Sequence, residues 1–197
     1  MTNTMNHEYG WYNAEPRIQT HVPELLAASI DDFPPHSYKY ADVDVVYRYT
    51  SELVRRIIDS TPITGRYARI LVDVKVQNLH SRICSCIPGW HLDGSRQQKE
   101  IHHLCVLHGP QTEFVDEPLY LSTAYPQNVK SIPQDIAVRP LTEGTITTYS
   151  SLDFHRGVYA SAPTRRLLVR LTETDHIKPC NSIYTPRSEY GYTATSY

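Results

Sequence analysis

Ile70-Leu71-Val72-Asp73-Val74-Lys75-Val76-Gln77 sets Ile70, Val72, Val74 and Val76 against Leu71, Asp73, Lys75 and Gln77. Successive side chains of an extended chain point to opposite faces, so this period of two predicts a strand over Arg69–Leu79. Shorter β-type runs follow at Ile83–Ile87, Ile101–Leu107, Thr112–Val115, Thr145–Ser150 and Arg166–Thr172, broken by Gly and Pro. Upstream the texture differs. Pro23 before Glu24-Leu25-Leu26-Ala27-Ala28 suits the opening of a short helix, which Asp31-Asp32-Phe33-Pro34-Pro35 stops. From Asp42 to Asp59, Val43, Val46, Tyr47, Leu53, Val54, Ile57 and Ile58 recur at helical spacing, with Glu52, Arg55 and Arg56 towards water. Helices followed by many short strands predict a mainly β domain with flanking helices, a sandwich or barrel. The expected layout is one domain over residues 1–197. It has a helical part at about 20–62, a β core at about 66–175 and an irregular, tyrosine-rich tail at 176–197. The first 40 residues look otherwise irregular. The proline-punctuated segment from Tyr120 to Gly144 has no clear period and reads as a functional loop, a candidate lid.

The composition limits what such a domain can do. With 197 residues and 22.6 kDa the chain can build one sizeable core and hardly two. Nineteen Lys and Arg against 21 Asp and Glu argue against general nucleic-acid binding, which calls for a basic surplus. No apolar run is long enough to cross a bilayer, and Met1 to Pro16 lacks the layout of a secretion signal. Cys84, Cys86, Cys105 and Cys180 are expected to be reduced thiols of a cytoplasmic protein, Cys84 and Cys86 acting as packing residues.

Ten histidines need sorting. His7, His21, His36 and His176 lie in polar contexts and read as surface residues; His102 and His103, adjacent in a strand, face opposite ways. In Trp90-His91-Leu92-Asp93-Gly94, His91 is followed two residues later by a carboxylate, so both can face one metal ion from one side. Sixty-two residues after Asp93, a strand run ends in His155. Two imidazoles and a carboxylate make the facial triad of non-haem Fe(II) oxygenases, with three positions left open. Downstream, Arg166 and Arg170 share one face of an apolar strand, and arginine there is costly unless it meets an anion. A guanidinium near such a triad is what a dicarboxylate cosubstrate requires.

His91-x-Asp93, then His155, then an arginine eleven residues on resemble the Fe(II)/2-oxoglutarate-dependent dioxygenases, whose fold is a double-stranded β-helix, the cupin-like jelly roll. The likeness covers roughly Ile83 to Thr172, and the spacing through Pro163, Arg165, Arg166 and Arg170 is nearest the taurine dioxygenase branch. It implies that His91, Asp93 and His155 hold Fe(II), and that Arg166 holds the distal carboxylate of 2-oxoglutarate with Thr112 beside it. It also implies that Arg170 meets an anionic group of a small-molecule substrate. The activity implied is hydroxylation with O2, releasing succinate and CO2; the carboxylate of Asp93 fills the place that halogenases leave for chloride. Trp90 could stack on substrate or belong to the core, Arg156 is a further anion-binding candidate, and Tyr149 reads as structural. Two other readings stay open. A cupin-type epimerase or isomerase shares the fold class, though the His-x-His and Pro-x-Gly patterns of metal cupins are missing. A non-catalytic jelly-roll binding protein would use the arginines as anion contacts and the His–Asp pair as turn residues.

Overall fold

A computed structural model describes residues 9–81, 83–94, 99–122, 128–129, 132, 135–178, 181–184 and 192–193. The chain opens with β1 (Tyr9–Tyr12) and β2 (Ile18–His21), then 3-10 turns at Pro23–Ala27 and Ile30–Asp32, then β3 (Ser37–Asp42). Helices α1 (Val43–Tyr49) and α2 (Glu52–Asp59) follow, then β4 (Arg69–Leu79), β5 (Ile83–Cys84) and β6 (Trp90–His91). Next come β7 (Ile101–Leu107), β8 (Glu113–Val115), β9 (Leu119–Ser122), β10 (Asn128–Val129) and β11 (Val138–Pro140). The chain continues through β12 (Thr145–Ser150), β13 (His155–Arg156), β14 (Thr164–Thr174), β15 (Asn181–Tyr184) and β16 (Tyr192–Thr193). The protein is therefore mainly β, with antiparallel pairing throughout the described strands.

Two sheets dominate. One runs β15-β3-β4-β14-β7-β12-β2, the other β10-β6-β13-β8-β11. On the outer face of the seven-stranded sheet, Val72 and Val74 of β4 and Leu167, Val169 and Leu171 of β14 are buried against Leu25, Phe33, Val46, Leu53, Val54 and Ile57. Fixing the helices there is an apolar stripe on α2, whose exposed side carries Glu52 and Arg56. The same face holds a buried polar clamp. Glu173 accepts from the amides of Thr64 and Gly65 and from the Thr64 hydroxyl, and pairs with His103 at 2.9 Å, tying the loop after α2 to the sheet. Between the sheets lie Leu104, Val106, Phe114, Leu141, Tyr149 and Leu168. Beyond the five-stranded sheet, Tyr12, Val115, Ile132 and Phe154 form a third layer of packing, with Trp90 beside them.

Several expectations change. From residue 9 onward the first 40 residues are not irregular: they supply β1, β2 and most of β3, and β2 and β3 extend the large sheet. The run from Asp42 to Asp59 is two helices, because Thr50 and Ser51 adopt extended dihedrals and break the turn. The C-terminal tail is not wholly irregular either, since β15 pairs with β3 and β16 with β5. The strand expected over Ile83–Ile87 is only Ile83–Cys84, whereas β14 runs longer at both ends than Arg166–Thr172. Of the proposed lid, residues 123–127, 130–131 and 133–134 lie outside the described residues; the flanks form β9, β10 and β11. His7 and Cys180 also lie outside them, while Cys84, Cys86 and Cys105 are free thiols, His21 and His36 are exposed and His176 is half-buried. Among the described residues no helix is long and apolar enough to cross a membrane.

Candidate metal centre

His91 and His155 face each other directly across the β6–β13 ladder and project to the same side of the small sheet, ring centroids 4.3 Å apart. Asp93 follows two residues after His91. The three side chains offer ligand atoms that all lie within 4.8 Å of one another, His91 and His155 buried and Asp93 half-buried. The orientation of the rings is set from behind. His91 Nδ1 lies 2.9 Å from the carbonyl of Gly89, and His155 Nδ1 lies 3.0 Å from that of Asp153. A carbonyl accepts only, so Nδ1 carries the hydrogen in both rings and Nε2 is the nitrogen able to ligate an ion. Such backing is how proteins fix the tautomer of metal-binding histidines. Two neutral imidazoles and one carboxylate on one side of a point suit a divalent first-row ion with open positions. The buried triad could hold a metal ion.

Without an ion, protein donors gather on Asp93. The Tyr149 hydroxyl donates to Oδ2 at 2.8 Å, Arg170 Nη1 meets the same oxygen at 2.5 Å, and His155 Nε2 stands at 3.2 Å. Burial would raise the Asp93 pKa, but Arg170 and His155 outweigh it and hold the carboxyl well below its usual range. His155 shows the converse: burial lowers it, and Asp93 more than compensates, so its pKa is raised. Tyr149 is pushed well up by burial and by Asp93, which keeps its hydroxyl a donor. Arg170 bridges two carboxylates, with Nη2 2.6 Å from Asp73 Oδ2 on the neighbouring strand.

Four residues along β14 from Arg170, roughly 13 Å of extended chain, Arg166 is wholly buried at 0% exposure. Its Nε donates to Pro110 O at 2.9 Å, Nη1 to Gln77 Oε1 at 2.8 Å and Nη2 to Thr112 Oγ1 at 3.3 Å. Every acceptor is neutral. Among the described residues no carboxylate pairs with it, and burial draws its pKa down to about 10. A solvated strand face with surface ion pairs does not describe this residue.

A small cavity of about 40 Å³ is lined by Asp93, His155 and Tyr149 and by Thr112, Lys75, Cys86 and Leu168; Arg166 does not line it and reaches it through the hydrogen bond to Thr112. Trp90 is not among its lining residues. It projects to the opposite face of the small sheet, where Arg156, paired with Glu113 at 2.7 Å, lies 4.5 Å over its ring. Cys84 is buried, but Cys86 lines the cavity. Burial raises its pKa, and a hydrogen bond with His91 together with the positive charge of Lys75 outweighs this and brings it down to about 6. Gln77, which sequence reasoning did not single out, thus joins the site, as do Tyr149, read from the sequence as structural, and Cys86, read as a packing residue. Comparison with protein-family models, curated proteins and solved structures finds no match to this chain.

Proposed function

We propose that this protein is a non-haem Fe(II)- and 2-oxoglutarate-dependent oxygenase that hydroxylates a small anionic molecule. The observation that carries this reading is Arg166: a fully buried guanidinium with only neutral acceptors, bonded to Thr112, which lines the same cavity as Asp93 and His155 of the His-Asp-His triad. A buried charge without a counter-charge costs several kcal/mol, and a carboxylate arriving from the cavity would remove that cost. A ligand satisfying both the triad and Arg166 must chelate a metal through one end and present a carboxylate at the other, which describes 2-oxoglutarate. The topology supports the same reading. β4, β7, β12 and β14 lie in one sheet and β6, β8, β11 and β13 in the other, with β4 beside β14, β6 beside β13, β7 beside β12 and β8 beside β11. Nested antiparallel pairs that alternate between two facing sheets are the pattern of a double-stranded β-helix, or jelly roll.

When bound, iron with 2-oxoglutarate and O2 would supply oxidative decarboxylation to succinate and CO2 and oxygen insertion into the substrate. The chain's own residues hold and orient. His91 and His155 present Nε2 because Gly89 and Asp153 carbonyls fix their Nδ1 hydrogens. Tyr149 steadies Asp93 by donating to Oδ2. Arg166 and Thr112 receive the distal carboxylate while Gln77 keeps the guanidinium in plane. Leu104, Leu168 and Phe114 exclude water around the centre. Arg170, already balanced by Asp73, is placed to meet an anionic group of the substrate once an ion takes over Asp93.

The test is succinate release. Purified protein with Fe(II), ascorbate and 2-oxoglutarate in air should form succinate slowly without substrate and faster with one, and His155→Ala should abolish both. Absence of succinate from folded, iron-loaded protein would refute the proposal and leave the epimerase and binding-protein readings.

A further inference from the structure

Cys86 follows β5 on a segment that runs alongside the chain leaving β13. Ser85 N donates to Val158 O at 3.0 Å and Gly157 N donates to Ile87 O at 2.8 Å. The two segments are pressed together, for a Cβ on Gly157 would stand 2.5 Å from the Cys86 amide nitrogen and 2.8 Å from its Cα. Gly157 comes two residues after His155, so the backbone of Cys86 is held in register with the strand that carries this ligand. Its side chain lines the same small cavity as Asp93 and His155 and interacts with the ring of His91. A thiol is therefore held on a fixed backbone at the cavity that Asp93 and His155 line, in contact with His91.

We propose that Cys86 is a fourth, exchangeable ligand of the ion held by His91, Asp93 and His155, closing the centre in the absence of cosubstrate and giving way to 2-oxoglutarate. The inference rests on the metal-site reading above. The Cys86 sulfur is not one of the three donor atoms grouped within 4.8 Å, so ligation turns the side chain towards the ion while Gly157 keeps the backbone where it is. The step is a ligand exchange without redox change: a metal–sulfur bond forms, water leaves the ion, and the thiol proton passes to solvent. Two imidazoles, a carboxylate and a thiolate make a closed four-coordinate set that favours Zn(II) and Co(II). With the thiolate displaced, the open triad remains. Zinc should consequently lock the centre, and 2-oxoglutarate must compete with sulfur to enter.

Cobalt distinguishes these states by colour. Metal-free, reduced protein titrated anaerobically with Co(II) should develop a near-ultraviolet sulfur-to-cobalt charge-transfer band together with strong visible bands of a four-coordinate ion. Adding 2-oxoglutarate should bleach the sulfur band. Cys86→Ser should still bind cobalt but show only weak visible bands, and should hold Zn(II) at least about tenfold less tightly; Cys86→Ala serves equally if the serine variant does not fold. Cobalt bound to the native protein without a sulfur band, or a band that survives in both variants, overturns the role of Cys86 and leaves the triad intact. Failure of the native protein to bind cobalt at all overturns the metal reading and this inference with it.

Discussion

Replacing Arg166 with Met separates the cost of a buried charge from its use. Burial brings the guanidinium from 12.5 to about 10, so at about 1.4 kcal/mol per pH unit the ligand-free fold carries roughly 3 kcal/mol for keeping it charged. Methionine removes that cost and fills much of the same space. It also strips Pro110 O, Gln77 Oε1 and Thr112 Oγ1 of their donor, at about 1 kcal/mol each. The two effects nearly cancel, and the metal-loaded variant should melt within a few degrees of the native protein. Cosubstrate binding should behave otherwise. Losing one partner of a buried, hydrogen-bonded charge pair costs about 2–5 kcal/mol, which weakens 2-oxoglutarate by roughly 30-fold to several thousandfold. The assay is thermal unfolding of the Mn(II)-loaded protein, which cannot turn over, across a 2-oxoglutarate titration. Native protein at a hundred times its Kd gains about 2.7 kcal/mol, or roughly 5–10 °C for a chain of this size. Arg166→Met should gain less than about 1 kcal/mol at that concentration, at most roughly 2–3 °C. A variant that keeps the shift, with affinity within threefold of native, refutes the placement of the distal carboxylate.

Metal affinity should rise with pH. In the metal-free protein the raised pKa of His155 means that its pairing with Asp93 contributes fully below the ordinary imidazole value of about 6.5 and is lost as pH climbs through the raised value. The depressed carboxyl of Asp93 keeps its share until pH falls through its own low pKa. Binding an ion must expel the His155 proton, so affinity should fall about tenfold per pH unit below the raised value, with proton uptake by buffer visible in calorimetry; a flat profile from pH 6 to 8 would contradict the pairing. Tyr149→Phe removes the donor to Asp93 Oδ2 and should weaken the metal about 10- to 100-fold in a chelator competition, whereas unchanged affinity would make Tyr149 a packing residue. Gly157→Ala forces a Cβ to within 2.5 Å of the Cys86 backbone and should destabilise the fold by at least about 1–3 kcal/mol, read as a lower melting temperature; a native-like melting curve would show that the segments can part without cost.

The alternation in β4 was legible, but its orientation was not. A period of two says that Asp73, Lys75 and Gln77 share a face; it does not say whether that face meets water. Here the apolar face lies under α1 and α2 and the polar face points between the sheets, where Asp73 meets Arg170 and Gln77 meets Arg166. Three interior polar residues on a long strand were the available signal for a buried site, and they gain meaning only with a second sheet facing them. The triad was readable because His91 and Asp93 are two positions apart and His155 follows a strand run. The facing of His91 and His155, the Tyr149 hydroxyl and the approach of Cys86 depend on contacts joining residues 56 to 75 positions apart, which no local pattern encodes. The early strands were missed for a related reason: β1 and β2 are four residues each, mostly polar or aromatic, and find their partners in β9 and β12 more than 100 residues away.

The central claim is that one ion and one dicarboxylate bind between His155 and Arg166. The most direct measurement is an anaerobic titration of metal-free protein with Fe(II) and then 2-oxoglutarate, followed by visible absorption. Chelation of the keto acid at the triad predicts a weak metal-to-ligand charge-transfer band that appears only when both are present, saturates at one equivalent of iron, and is missing in His155→Ala. A folded native protein that shows no band at saturating iron and cosubstrate would contradict the account.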